Sequence, residues 1–272
     1  MPEPNGPAAH CPCCQGKLRG GEKFCPACGA ALEPAAQPPA QLEAAPHVLE
    51  QNARQEQVSR FEESWSELKL VAWLYGALLL ASLVVGWAGR NDTTPWSDVG
   101  GGIAEVVIVF AFVAFRYRDI APLLGVPQDG RRSALKLLFL SLAFMALMEL
   151  YFYLLGKSGV RIIELTESYQ AAGWGLGVML LINSLIPAVT EELAFRGIIQ
   201  ATFERIVGIR EAMLIQAALF SVVHLLPMMF PSHFLMGLMF GYLRLRTKSL
   251  YPGMALHGAW NALVVLQDVY FP

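Results

Sequence analysis

Apolar segments at approximately 70–89, 99–116, 134–155, 174–199, 211–227, 232–246 and 249–270 fill most of the chain after residue 70. Most of them approach the roughly 20 residues that a helix needs to cross a bilayer. Such a chain folds as an all-α polytopic membrane protein with about seven transmembrane helices. The balance of residues agrees: 55% are hydrophobic and 15% charged, with a mean hydropathy of +0.44. Soluble domains carry about 25% charged residues. Lys and Arg lie in short loops rather than on one patch, so no nucleic-acid partner is expected.

The loop charges give an orientation. Arg54, Arg60 and Lys69 precede the first span, and Arg116, Arg118, Arg131, Arg132 and Lys136 follow the second. Arg205 and Arg210 follow the fourth, and Arg244, Arg246 and Lys248 the sixth. The alternate connections hold little beyond Arg90, Lys157 and Arg161. By the positive-inside rule this is a multi-pass cell-membrane protein with a cytoplasmic N-terminus.

All five cysteines precede residue 29. Cys11 with Cys14, and Cys25 with Cys28, form two Cys-x-x-Cys pairs whose thiolates can close a four-sulfur shell around structural zinc. Cys13 is then spare and His10 reads as a linker residue; the alternatives are Cys11 with Cys13, His10 in place of one sulfur, or disulfides in an oxidising compartment. Reduced thiols suit the cytoplasmic side. The Cys-Pro-x-Cys form resembles the small zinc ribbons at the ends of many prokaryotic membrane proteins. Residues 1–30 therefore read as a zinc ribbon, a docking or regulatory module with a cytoplasmic partner that the sequence does not name. Residues 31–55, rich in Pro, Ala and Gln, read as a linker. The transmembrane domain takes 56–272. The polar stretch 51–69 is either a helix along the interface or a solvated extension of the first span.

Within the apolar run that begins near Trp174 stands Thr190-Glu-Glu-Leu-Ala-Phe-Arg-Gly197. Ionisable groups at such depth cost several kcal/mol or more. On a helix Glu192 and Arg196 stand at i, i+4 and can neutralise each other, whereas Glu191 points about 100° away. One carboxylate thus reads as structural and the other as free for chemistry. Downstream, Phe220 and His224 share one helix face, and so do His257 and Asn261. A carboxylate helped by a histidine can deprotonate water, and a histidine with an amide can stabilise an oxyanion. The same groups can hold a metal with an open position. Ser184 and Ser221 read as ordinary small residues of the spans. Gly237 and Gly241 read as a small-xxx-small contact. Glu149 reads as an internal hydrogen-bonding group, Glu105 as lying near a span end within reach of the interface, and His233 as a loop or cap residue.

The ordered motifs Glu-Glu-x-x-x-Arg, Phe-x-x-x-His and His-x-x-x-Asn resemble the CPBP (CAAX protease and bacteriocin-processing) intramembrane endopeptidases, which include the Rce1-type CAAX prenyl proteases. The resemblance covers about residues 170–270. It implies Glu191 as general base, His224 as its partner, His257 and Asn261 as oxyanion stabilisers, and Glu192, Arg196 and Phe220 as supporting residues. It further implies a membrane-associated or lipidated peptide substrate. Metal-dependent and metal-free glutamate mechanisms are both associated with the family. Its non-catalytic scaffold and immunity members supply the alternative function, and a proton-coupled transporter is a third reading.

Overall fold

The computed structural model describes residues 10–18, 22–32, 46–90, 94–128, 131–159 and 166–271. Most of the expected linker (33–45), Arg161, and the side chains of Arg60, Arg131 and Arg132 lie outside the described residues. The chain divides into two compact units, Met1–Val58 and Ser59–Pro272.

In the first unit the two cysteine pairs build the same turn twice. The Cys11 N–H donates to Gly16 O and the Gln15 N–H to Cys11 O; the Cys25 N–H donates to Ala30 O and the Gly29 N–H to Cys25 O. Isolated antiparallel bridges, His10 with Lys17 and Phe24 with Ala31, close each copy. The left-handed residue is Gln15 in one copy and Gly29 in the other. Gln15 thus adopts a backbone conformation that costs a residue with a Cβ about 1 kcal/mol, while glycine takes it freely.

Helix α1 (Pro46–Ala88) runs without a break through the polar stretch into the first apolar segment. Residues 51–69 are therefore a helical extension of the span rather than a separate helix. Next come α2 (Trp96–Phe115), the single turn α3 (Tyr117–Ile120), α4 (Arg131–Lys157), the short α5 (Glu167–Ala171) and the 31-residue α6 (Leu176–Ile206). Three further helices complete the fold: α7 (Ile209–Val223), α8 (Phe230–Thr247) and α9 (Tyr251–Tyr270). Among the described residues there is no strand beyond the two bridges.

Among the described residues four helices are long and apolar enough to cross a membrane: Arg54–Ala88 of α1, α2, Leu135–Lys157 of α4, and α6. Their outer faces carry large apolar side chains with no protein cover; Trp73 is 75% exposed, Phe115 76% and Phe139 75%. Faces of that kind need hydrocarbon rather than water. The other three expected spans are the 15-, 18- and 20-residue helices α7, α8 and α9. They are short, or they carry polar residues such as Arg244, His257, Asn261 and Asp268, which lowers their hydropathy below that of the first four.

Helices α7 and α8 pack closely. A Cβ on Gly237 would lie 2.7 Å from the Ala217 Cα, and one on Gly241 would meet Gln216 and Gln200 below 3.0 Å. The Gln216 amide donates to Gly237 O at 2.7 Å across the same seam. Gly237→Ala should push the two backbones apart and cost about 1–3 kcal/mol, the usual penalty of overpacking. Thermal unfolding in detergent measures it, and an unchanged midpoint would show that α8 can slide.

The ends of α2, α6 and α8 gather on one face. Both oxygens of Glu67 in α1 accept from Arg116 at 2.6 Å, and Arg205 adds a third bond at 2.7 Å. Arg244 donates to Glu204 at 2.6 Å. The basic ends that the loop charges assign to one side of the membrane thus share acidic partners on one side of the bundle.

Candidate active site

Helix α6 is not uniformly α-helical. It widens into π turns at Leu181–Leu185 and Glu192–Ile199. The first has a local cause. Pro187 has no N–H to give to Asn183 O, and its ring crowds that carbonyl, so the turn before it opens. The second stretch is buried along its whole length, from Glu192 to Ile199. Wide turns of this kind recur at functional sites. No signal in the sequence marks the second one.

Glu192 and Arg196 are both fully buried and form an ion pair at 3.0 Å. The guanidinium lies over the rings of Phe220 at 4.3 Å and Phe240 at 5.2 Å. Its Nε and Nη2 make no hydrogen bond among the described residues, so ring faces and carboxylate charge hold it in place of a full fork of acceptors. The backbone of α9 approaches closely here, because a Cβ on Gly253 would stand 2.8 Å from Glu192 Oε2.

Glu191 differs from its neighbour. Its side chain keeps 17% of its surface open, against none for Glu192. His257 stands between the two: its Nδ1 is 3.3 Å from Glu192 Oε1, and its Nε2 is 3.7 Å from Glu191 Oε2. The imidazole stacks on Phe240, with ring centres 5.1 Å apart, which fixes its plane. Glu192 therefore serves two cationic partners, Arg196 and, when protonated, His257. Asn261 lies one turn further along α9, half-buried, with no hydrogen bond to the described residues.

His224 caps the end of α7. Its Nδ1–H donates to Phe220 O at 2.7 Å, which leaves Nε2 as an acceptor. Phe220, fully buried, joins the elements: His224, Phe195 and His257 ring its face at 4.9, 5.2 and 6.1 Å. Among the described residues no hydrogen bond or ion pair links His224 to Glu191. The three motifs do meet, around Phe220 and His257.

Two residues of this neighbourhood differ from the sequence reading. His233 is not a bystander of the loop. It lies in the first turn of α8 with its ring centre 4.0 Å from that of His224, and its own Nδ1–H donates to Met229 O at 2.9 Å. Glu105 is the tenth residue of the 20-residue α2 and turns inward, 2.6 Å from the Oγ1 of Thr190, the residue before Glu191. An acid at mid-span is itself a signal of function; placing the start of α2 three residues late set Glu105 too near the end. Glu149 accepts from Gln267 at 3.2 Å, an internal hydrogen bond. Ser221 donates to Ala217 O one turn back, as ordinary helix residues do, whereas Ser184 donates across to Gly258 O on α9 at 2.8 Å.

Among the described residues one group of three or more potential ligands gathers its atoms within 4.8 Å, and it is Cys11, Cys14, Cys25 and Cys28. The Cys11–Cys28 and Cys14–Cys25 sulfurs are 3.8 and 3.7 Å apart. Four sulfurs placed tetrahedrally at about 2.3 Å from one ion would be about 3.8 Å apart, so the quartet fits a metal shell. Backbone N–H groups of Cys14 and Cys13 hold the Cys11 thiol down at about 7, whereas the neighbouring sulfurs and burial push the Cys28 thiol up to about 12. Cys13 and His10 are exposed and stand outside the group.

Residues 173–263 match the family described as type II CAAX prenyl endopeptidase, Rce1-like. That range contains Glu191, Glu192, Arg196, Phe220, His224, His257 and Asn261. The chain has no significant match among curated proteins or among solved structures. Residues 173–263 are thus similar to the Rce1-like CAAX prenyl endopeptidases, within a helical chain that has helices long and apolar enough to cross a membrane and N-terminal cysteines that can hold a metal ion.

Proposed function

We propose that the protein is an intramembrane endopeptidase that cleaves membrane-associated, lipidated chains with water activated by Glu191. The observation that carries this reading is the contrast between adjacent carboxylates, Glu192 fully buried in an ion pair with Arg196 and Glu191 17% exposed beside His257. Glu191 takes a proton from water as the water oxygen bonds to the peptide carbonyl carbon. The carbonyl oxygen becomes an oxyanion. As the intermediate collapses, the C–N bond breaks and the leaving nitrogen takes the proton from Glu191.

His224 presents its Nε2 lone pair and orients the attacking water. His257 and the Asn261 amide donate to the oxyanion. For His257 that requires a proton on Nε2, the nitrogen that faces Glu191. The test is cleavage of a panel of prenylated peptides by the purified protein beside Glu191→Gln. Cleavage that is equal in both would remove Glu191 from the mechanism.

The cysteine quartet is read as a structural zinc site in a ribbon that docks a cytoplasmic partner. A unit with so little core draws most of its folding free energy from the metal. Purified protein should contain about one zinc per chain, and Cys25→Ser should lose it and leave the N-terminal unit unfolded. Metal analysis and proteolysis of the N-terminus check both. Zinc that persisted in the Cys25→Ser protein would instead belong to the membrane site.

A further inference from the structure

The Thr190 hydroxyl is over-subscribed. Its oxygen lies 2.6 Å from Glu105 Oε1 and 2.8 Å from Ile186 O, with Pro187 O at 3.5 Å. The residue is 1% exposed, so bulk water does not settle the count. A hydroxyl has one proton to give, a carbonyl has none, and an ionised carboxylate has none. If Thr190 donates to Ile186 O, as helical threonines do, the short contact with Glu105 needs a proton from elsewhere. A carboxylic acid supplies it. The charges nearby point the same way: among the described residues no cation pairs with Glu105, and the group it acts on across the interface is Glu191. On α6, which packs against α2, the neighbouring titratable groups Glu192 and Arg196 pair with each other, and Glu192 also with His257 of α9. On α2 itself the other is Asp98, two turns toward its start.

We infer that Glu105 is held as the neutral carboxylic acid, donating its proton to Thr190 Oγ1, and that it is a positioning residue for Glu191. Thr190 directly precedes Glu191 on α6, so this bond pins the backbone that carries the base. A neutral Glu105 also spares Glu191 a like charge, which leaves Glu191 free to be the ionised member of the two. This role rests on the reading of Glu191 as the base; the protonation state of Glu105 does not.

The experiment is infrared spectroscopy of the full-length protein in nanodiscs at neutral pH, in H₂O and D₂O. Wild type should show a protonated carboxylic C=O band that shifts in D₂O, vanishes in Glu105→Gln and persists in Glu191→Gln. A band of equal intensity in wild type and Glu105→Gln overturns the inference. If Glu105→Gln does not fold, Thr190→Val decides. That variant removes the acceptor and keeps the shape, so the band should move to higher frequency, and an unmoved band overturns the inference.

The positioning role is read from the pH dependence of kcat/KM on a prenylated peptide. Glu105→Gln, whose amide still donates to Thr190, should keep the wild-type acidic limb and stay within a few-fold in rate. Glu105→Ala should lower kcat with KM held. A displaced acidic limb in Glu105→Gln would mean that an ionised Glu105 acts on Glu191, and would overturn the role. Absence of cleavage by wild type on every peptide would sink the endopeptidase reading and leave the infrared result standing.

Discussion

Glu191→Gln should lower cleavage by a factor of about 10² to 10⁴, the range that a positioned general base contributes. The fold should be unaffected. The substitution keeps the shape of a side chain whose Oε2 makes no hydrogen bond, and whose neighbour His257 is held independently by Glu192 and Phe240. The loss should fall on kcat rather than KM, because an amide still fills the site but cannot take the proton from water. Single-turnover cleavage with circular dichroism of the same sample separates the two effects. A fall in activity matched by a fall in helicity would return Glu191 to a structural role.

Arg196→Met should be the most destabilising single change in the membrane part. Removing the guanidinium leaves Glu192, fully buried, with only His257 beside it, and breaking a buried pair in this way costs about 3–5 kcal/mol. Adding Glu192→Gln to Arg196→Met should recover most of that, since the stranded charge is gone and the methionine can still lie among Phe195, Phe220 and Phe240. Arg196→Lys should fall between, because an ammonium keeps the charge and loses the flat face that stacks on Phe220. Unfolding of the detergent-solubilised protein by SDS titration gives the comparison. A double variant no more stable than Arg196→Met would show that the aromatic cage, not the charge balance, sets the cost.

Much of this was legible in residue spacing. Glu192 and Arg196 form their contact because four residues return the chain to one helix face, and a widened turn preserves that proximity. Gly237 and Gly241 announced a close helix pair without naming its partner; Ala217, Gln216 and Gln200 supply it. The paired cysteine turns carried their own geometry. What spacing could not carry was contact between segments distant in sequence. His257 bridges two glutamates more than sixty residues away, His233 reaches His224 by reversal of the chain, and Glu105 finds Thr190 from another helix. The span count failed to read cleanly for a related reason. Hydropathy measures contact with lipid, whereas the polar residues of α8 and α9 turn toward the protein, His257 to the glutamates, Arg244 to Glu204 and Asp268 to Thr166.

Glu191 is 15 residues from each end of α6, since 191 − 176 and 206 − 191 are equal. At about 1.5 Å per residue that is roughly 22 Å of helix on either side, beyond half the ~30 Å thickness of hydrocarbon. A hydrolase normally treats water as a constant of the medium. At this depth water is a second reactant with its own supply route, scarce where the first is plentiful. If Glu191 is the base, its slight exposure would set the supply of that second reactant.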